Sequence, residues 1–307
     1  MNVACATQPS HCRILRAQTL VILAMVWGFA GCAVQRRERL PAATLSPAYR
    51  TATLQELEDQ LRQYQQAFQT LNATVDLQPS VTSIARGELI QYRDVRAFIL
   101  IRRPASLRMI GQAPVVRNTA FDMSSDGSRF SLYIPSRNRF IIGMSQGGKR
   151  SESALENMRP QHLLDALLWE PPGAQEQSVM EVVEQGGRSF YVIHILRQSS
   201  AGKLTLVRKL WFERQELRLD RLQIFDESGV AVTEAQFANY IDFSGISYPQ
   251  RIALERPRDN YGLALSILKV DWNQPLGDDK FQLAQPPGAE LIDLETTSPE
   301  QEVLNGG

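Results

Sequence analysis

FDMSSDGSRFSLYIPSRNRF, residues 121–140, decides how this chain is read. Apolar residues alternate with polar ones on either side of Ser125-Asp126-Gly127, and again on either side of Pro135-Ser136-Arg137-Asn138. Alternation at a period of two, broken by a short turn of this composition, marks antiparallel strands joined as hairpins. The pattern begins at Thr74 and runs onward along the chain from there. Gln185-Gly186-Gly187 parts Val179–Glu184 from Ser189–Arg197, and Ser199–Gly202 leads into Leu204–Phe212. Glu227-Ser228-Gly229 follows Leu219–Phe225, and Ser244-Gly245 and Arg256-Pro257-Arg258-Asp259 divide three further runs. The whole predicts an antiparallel meander of about ten or eleven strands.

Two segments depart from that period. Leu54, Leu57, Leu61, Tyr64, Phe68 and Leu71 recur at spacings of three and four with charged and amide residues between them. This predicts an amphipathic helix of about five turns with one apolar face, stopped at Asn72. Ser151–Trp169 gathers Leu163, Leu164, Ala166, Leu167, Leu168 and Trp169 before Pro171-Pro172-Gly173. A helix apolar on most sides belongs inside a structure. The expected fold class is therefore α+β: an incomplete antiparallel β-barrel wrapped around an N-terminal helix and an internal apolar helix. Such closure also protects sheet edges.

The N-terminus reads as an export signal. Arg13 and Arg16 precede an apolar run, Leu20–Phe29, that ends in Phe29-Ala30-Gly31-Cys32. About ten residues are too few to span a bilayer, which takes about 20 as a helix. A short apolar anchor that happens to contain cysteine is the alternative, and either reading puts the bulk of the chain outside the cytoplasm. Small residues before Cys32 resemble the lipobox of bacterial lipoproteins, with Phe29, Ala30 and Gly31 preceding the acylated cysteine. The expected organisation is 1–31 signal peptide, 32–50 flexible tether, 51–295 folded domain and 296–307 disordered tail. Cleavage removes Cys5 and Cys12, so the mature domain has no disulfide and is held by its core. Because residues 1–31 carry Arg13 and Arg16 but no acid, the mature chain has a net charge near −2. That balance gives nucleic acid no electrostatic footing as a partner.

Catalytic chemistry is thinly represented. A nucleophile needs a base within hydrogen-bond reach, and the mature chain offers His162 and His194 alone. No Gly-x-Ser-x-Gly elbow, P-loop or metal-ligand histidine pair occurs. Asp278 and Asp279 are adjacent on a turn and point apart. The expectation is of a protein that is not an enzyme and carries no cofactor or metal.

Four local motifs carry a family resemblance: Ile101–Arg108 with its basic-Pro sequence, the hairpins of Phe121–Phe140, the Leu-rich segment after Arg159-Pro160, and Asp278–Ala289. In order and spacing they resemble the LolA/LolB superfamily of periplasmic lipoprotein carriers and outer-membrane lipoprotein receptors. The resemblance implies a half-barrel with a helical lid around an apolar cavity for acyl chains, and a final strand with a closing Pro-Gly turn at Asp278–Ala289. Carrying a lipobox, the chain is closer to the anchored receptor; Ala113-Pro114-Val115-Val116 is the nearest counterpart to the receptor's protruding loop. Expected partners are the membrane through acylated Cys32, lipid or lipoprotein acyl chains, and a periplasmic carrier protein. Ala33, which is not Asp, points to the outer membrane under the enteric sorting rule.

The expected cavity lining is Phe98, Leu100, Leu107, Met109, Phe121, Met123, Phe130, Leu132 and Phe140, all assigned to the concave side. Phe and Met make an adaptable wall for flexible chains. An ordinary core packed against two helices is an equally open reading of the same residues. Along Ala97–Ile101 both faces are apolar, which predicts burial on both sides or an outside partner. Arg102, Arg103 and Arg108 could meet a lipid head group at the rim, or form a solvated edge. On these residues the leading function is binding or transfer of acyl chains in the envelope, and the alternative is an interaction, sensor or scaffold protein on the same fold.

Overall fold

A computed structural model of the chain describes residues 48–83, 88–91, 94–113, 118–147, 157–198 and 202–295. The stretches read as signal peptide, lipobox with Cys32 and most of the tether, together with Pro114–Val116, the start of the Leu-rich segment and residues 296–307, lie outside the described residues.

Helix α1 spans Leu54–Ala67. Thr53 starts it through a reciprocal cap: its hydroxyl accepts from the Glu56 N–H at 3.2 Å, and the Glu56 carboxylate accepts from the Thr53 N–H at 2.7 Å. Leu57 and Leu61 are its buried face. The helix stops one turn sooner than the spacing predicts. Phe68 is already extended, at φ −147° and ψ 145°, and Leu71 and Asn72 belong to the first strand. Phe68 and Leu71 are buried all the same, because helix and strand run over one core. Leu71 fits the helical spacing from Phe68 and also the period-two run Leu71, Ala73, Val75 and Leu77, so spacing could not place the boundary.

The strands are β1 (Thr70–Ser83), β2 (Glu88–Gln91), β3 (Val95–Arg102), β4 (Ser106–Gln112), β5 (Thr119–Ser125), β6 (Arg129–Ile134) and β7 (Arg139–Met144). Helix α2 (Pro160–Leu167) follows. Then come β8 (Glu176–Gln185), β9 (Arg188–Gln198), β10 (Leu204–Glu213), β11 (Arg218–Phe225), β12 (Ala231–Phe243), β13 (Ile246–Arg256), β14 (Tyr261–Trp272) and β15 (Glu290–Asp293). They form one open sheet ordered β15-β7-β6-β5-β4-β3-β1-β14-β13-β12-β11-β10-β9-β8, with β2 paired to β1. Every pairing is antiparallel except β15 with β7. The sheet thus has 15 described strands, more than the ten or eleven expected. Short β2 and β15 lack a run long enough to show alternation, and β1 to β4 are not separated by the Gly-rich turns that counted the others.

Strand β1 is the seam. It pairs with β3 over Thr70–Leu77 and with β14 over Leu71–Val81, so it joins two meanders made far apart in sequence. Both helices sit on one face. Leu57 and Leu61 of α1 and Leu163, Leu164 and Leu167 of α2 share a buried cluster with Ile99, Met109, Met123, Leu132 and Ile141 of the sheet. The hydroxyls of Tyr64 and Tyr248 both donate to the Leu167 carbonyl, each at 3.1 Å. The Tyr64 ring stacks on Trp169 at 4.4 Å. One sheet with two helices on one face is consistent with an incomplete barrel.

After β14 the chain crosses the opposite, outer face of the sheet. Arg102 pairs with Asp278 at 2.7 Å and lies over the Phe281 ring. The Ser124 hydroxyl donates to the Phe281 carbonyl, and the Asn138 amide donates to the Gly288 carbonyl at 2.7 Å. Asp278–Phe281 is a single 3-10 turn, so Asp278–Ala289, expected to hold the final strand and a closing Pro-Gly turn, is this crossing, with the turn at Pro287-Gly288. The last strand is Glu290–Asp293, one step further on.

Candidate functional site

Opposed residues of an antiparallel pair share a face, so register sorts the expected lining. Ile99, Met109, Met123, Leu132 and Ile141 form one row across five strands on the helix-bearing face. Ile101, Leu107, Ser125 and Phe130 form the next row, and Ala97, Gly111 and Phe121 the row beyond. Six expected lining residues therefore come together on the inner face: Leu107, Met109, Phe121, Met123, Phe130 and Leu132. Phe98, Leu100 and Phe140 do not. Phe98 stands in a row with Ile110, Asp122, Tyr133 and Phe140, and Leu100 in one with Arg108 and Ser124, all on the outer face. Assigning them to the concave side needs correction. Ala97–Ile101 is apolar at every position, so alternation there could not choose between the sets. Phe98 is 36% exposed, while Phe140 is buried opposite Leu291 of β15.

Most of the inner six are packed. Leu107, Met109 and Met123 have no exposed surface, and Phe130 lies under the Arg159 guanidinium at 5.0 Å from its ring centre. Phe121 and Leu132 differ, because they line a cavity of about 250 Å³ at the end of the inner face. Leu77 and Pro79 of β1, Val95 of β3, Ile134 of β6 and Met158 complete its apolar wall, and Ser136 and Arg137 bring polar groups to it. Phe121 has room there because it faces a glycine. A β-carbon on Gly111 would lie 2.2 Å from the Phe121 ring.

The three arginines proposed for a head group are engaged within the protein. Arg103 pairs with Glu170, donates to the Phe68 carbonyl at 3.1 Å and lies over the Phe68 ring. Arg108 grips Asp122 with two hydrogen bonds of 2.5 and 2.6 Å. Together with Arg102 on Asp278 they fasten the C-terminal crossing and the turn after α1, which is work for structure.

The histidines have structural partners too. His162 Nδ1 is 2.5 Å from the Tyr261 hydroxyl, and burial, followed by the charges of Arg256 and Arg159, holds its pKa well below 6.5. His194 Nε2 is 2.8 Å from Glu181 on the neighbouring strand. Asp165, in the middle of apolar α2, is the group that sequence reasoning passed over. Burial raises its pKa from 3.8 to about 6, against a hydrogen bond from Gln161 and the charges of Arg208 and Arg256. A carboxylate between Leu164 and Ala166 was the available signal. Among the described residues no group of three or more His, Cys, Asp or Glu side chains is placed to hold a metal ion.

No family model matches the chain, and no curated protein matches it. Solved structures do. A DUF1329 family protein from Desulfovibrio piger superposes with a TM-score of 0.50 at 14% identity, covering 74% of this chain and 95% of that one. A LolA superfamily protein from Nitrosomonas europaea gives 0.49 at 11%, covering 76% and 99%. A domain described as an outer membrane lipoprotein-sorting protein, from Vibrio parahaemolyticus, gives 0.49 at 12%, covering 74% and 94%. At these identities the likeness is one of fold: the chain is similar in fold to the solved DUF1329 family protein from Desulfovibrio piger.

Proposed function

We propose that this chain is a membrane-anchored envelope lipoprotein that binds acyl chains of a lipid or lipoprotein in the inner face of its sheet. The cavity beside Phe121 and Leu132 carries the reading, since its wall is almost wholly apolar and Ser136 and Arg137 could meet a polar end. Its 250 Å³ is slightly below the roughly 300–1,000 Å³ usual for a ligand site. It accommodates part of one chain as it stands. A longer chain is admitted by movement of Phe121 and Met158, of which methionine is the more adaptable.

Attachment through Cys32 and service at the outer membrane, with a periplasmic carrier as partner, complete the proposal; they rest on Phe29-Ala30-Gly31-Cys32-Ala33. The test is native mass spectrometry of the protein purified from cell extract. Lipid-sized mass additions, displaced by a fluorescent fatty acid, are the expected result. A bare mass together with no uptake of that fatty acid would end the acyl-chain reading and favour an anchored interaction protein with a filled core.

A further inference from the structure

The two edges of the sheet are unlike. At one, β15 has four residues; at the other, β8 runs for ten, Glu176–Gln185, in unbroken register with β9. The β8 strand contains no proline, no lysine and no bulge, which are devices that blunt an edge.

Its backbone groups without a partner among the described residues can be assigned. The two-residue turn Gly186-Gly187, with φ of +60° and +75°, closes on Gln185 and Arg188. Such a turn makes that pair a hydrogen-bonded one. Odd-numbered residues of β8 thus bond to β9, and the N–H and C=O groups of Ser178, Met180, Val182 and Glu184 point away from it. Glu176 agrees, because its N–H donates outward to the Gly173 carbonyl at 2.9 Å. Beside these groups stand two exposed valines, Val179 at 55% on the outer face and Val182 at 54% on the inner. Exposed carboxylates of Glu181 and Glu184 accompany them.

We infer that the β8 edge is a docking site for an extended, basic polypeptide segment that adds as a further antiparallel strand. Main-chain hydrogen bonds supply the affinity of such additions, and side chains at alternate positions supply the specificity. Charge selects the occupant. A second copy of this chain, paired so that all four outward-facing residues are used, would set Glu181 directly against its own counterpart. Like charges so opposed are unfavourable. A strand with lysine or arginine opposite Glu181 and apolar residues beside Met180 and Val182 satisfies both faces. This site is separate from the cavity beside Phe121, and it stands or falls independently of acyl-chain binding.

The test uses the full-length chain with a ten-residue peptide alternating lysine and valine, and with its glutamate-for-lysine counterpart. Binding is followed by fluorescence anisotropy and by amide hydrogen exchange. The basic peptide is expected to bind and to slow exchange at Ser178, Met180, Val182 and Glu184, while Val179, Glu181 and Val183, already bonded to β9, change little. Glu181→Lys weakens binding by roughly fivefold. Val182→Pro, which deletes an outward N–H and spares the β9 ladder, abolishes it. Equal binding of both peptides, indifference to Val182→Pro in a folded variant, or no protection at the four even-numbered amides would each overturn the proposal.

Discussion

Phe121 lies across the backbone of Gly111, its partner on the next strand, so closely that a β-carbon on Gly111 would stand 2.2 Å from the ring. The absence of a side chain at 111 is what lets the ring close one side of the cavity. Gly111→Ala should drive Phe121 into that space, at a cost of about 1–3 kcal/mol. Fatty-acid uptake should fall. Adding Phe121→Ala should recover much of both losses, since contacting residues couple in a double-mutant cycle. Strict additivity of the two changes in denaturant midpoint would show that the ring and the glycine do not interact in solution.

Leu61→Asp should be severely destabilising. Leu61 is buried against the sheet, and losing a large core side chain costs roughly 2–5 kcal/mol before the penalty of an unpaired charge is added. A fall in melting temperature of roughly 10 °C or more is expected for a domain of this size. A melting curve superimposable on the parent's would mean that α1 does not cover the core.

The two titratable groups of α2, Asp165 and His162, act on stability in opposite senses. Asp165 has its folded pKa raised from 3.8 to about 6, so the native state takes up a proton before the unfolded chain does. Its contribution is most favourable below pH 3.8 and is lost as pH rises through about 6. Asp165→Asn should therefore stabilise the protein at pH 7 by up to about 3 kcal/mol, with the gain shrinking towards zero near pH 4. Urea midpoints at the two pH values measure it. A variant less stable than the parent at pH 7 would mean that Arg208 and Arg256 outweigh burial.

His162 is depressed instead, held neutral by burial among cations. Its contribution is fully present above pH 6.5 and is lost as pH falls below that value. Removing the imidazole with His162→Gln should flatten the acid limb of the stability profile. An unchanged profile would place the acid-sensitive step elsewhere.

Cys32→Ala should abolish both lipoprotein processing and partitioning into detergent, because one residue carries the proposed acyl chains. At roughly 0.8 kcal/mol for each buried methylene, little but those chains would hold the domain at a membrane. Among the described residues no helix is long and apolar enough to cross one. Unchanged partitioning of the variant would show a different anchor.

Much of the fold can be read before any coordinates. Asp126-Gly127 and Gly186-Gly187 announce their hairpins, because left-handed backbone at those turns favours glycine, and the Leu57–Leu61 face of α1 follows from helical spacing. Reading falters where two periods or two faces fit equally. Leu71 satisfies helix and strand alike, and Phe98 and Ile99 are both apolar on opposite faces. Long-range placement leaves no local mark. Nothing in the polar, proline-containing stretch after Trp272 indicates that it crosses the outer face, and nothing around Arg102 or Arg108 tells that acids from the crossing and from β5 will claim them. The cavity is the least legible feature, since Phe121 and Leu132 differ from Met109 and Met123 by what lies beyond the strand ends and not by residue type.

The seam at β1 and the parallel closure by β15 set an order of events during folding. Strands β3 to β7 can meander against β1 as soon as they have emerged, but the other side of β1 must wait for β14, about 190 residues later. The open flank of β7 must wait longer still, until residues 290–293 emerge and the crossing is pulled tight. Pairings this distant are slow to form. Until β14 and β15 have paired, the folding chain leaves one flank of β1 and one flank of β7 unsatisfied, and both are open to aggregation and proteolysis in that interval.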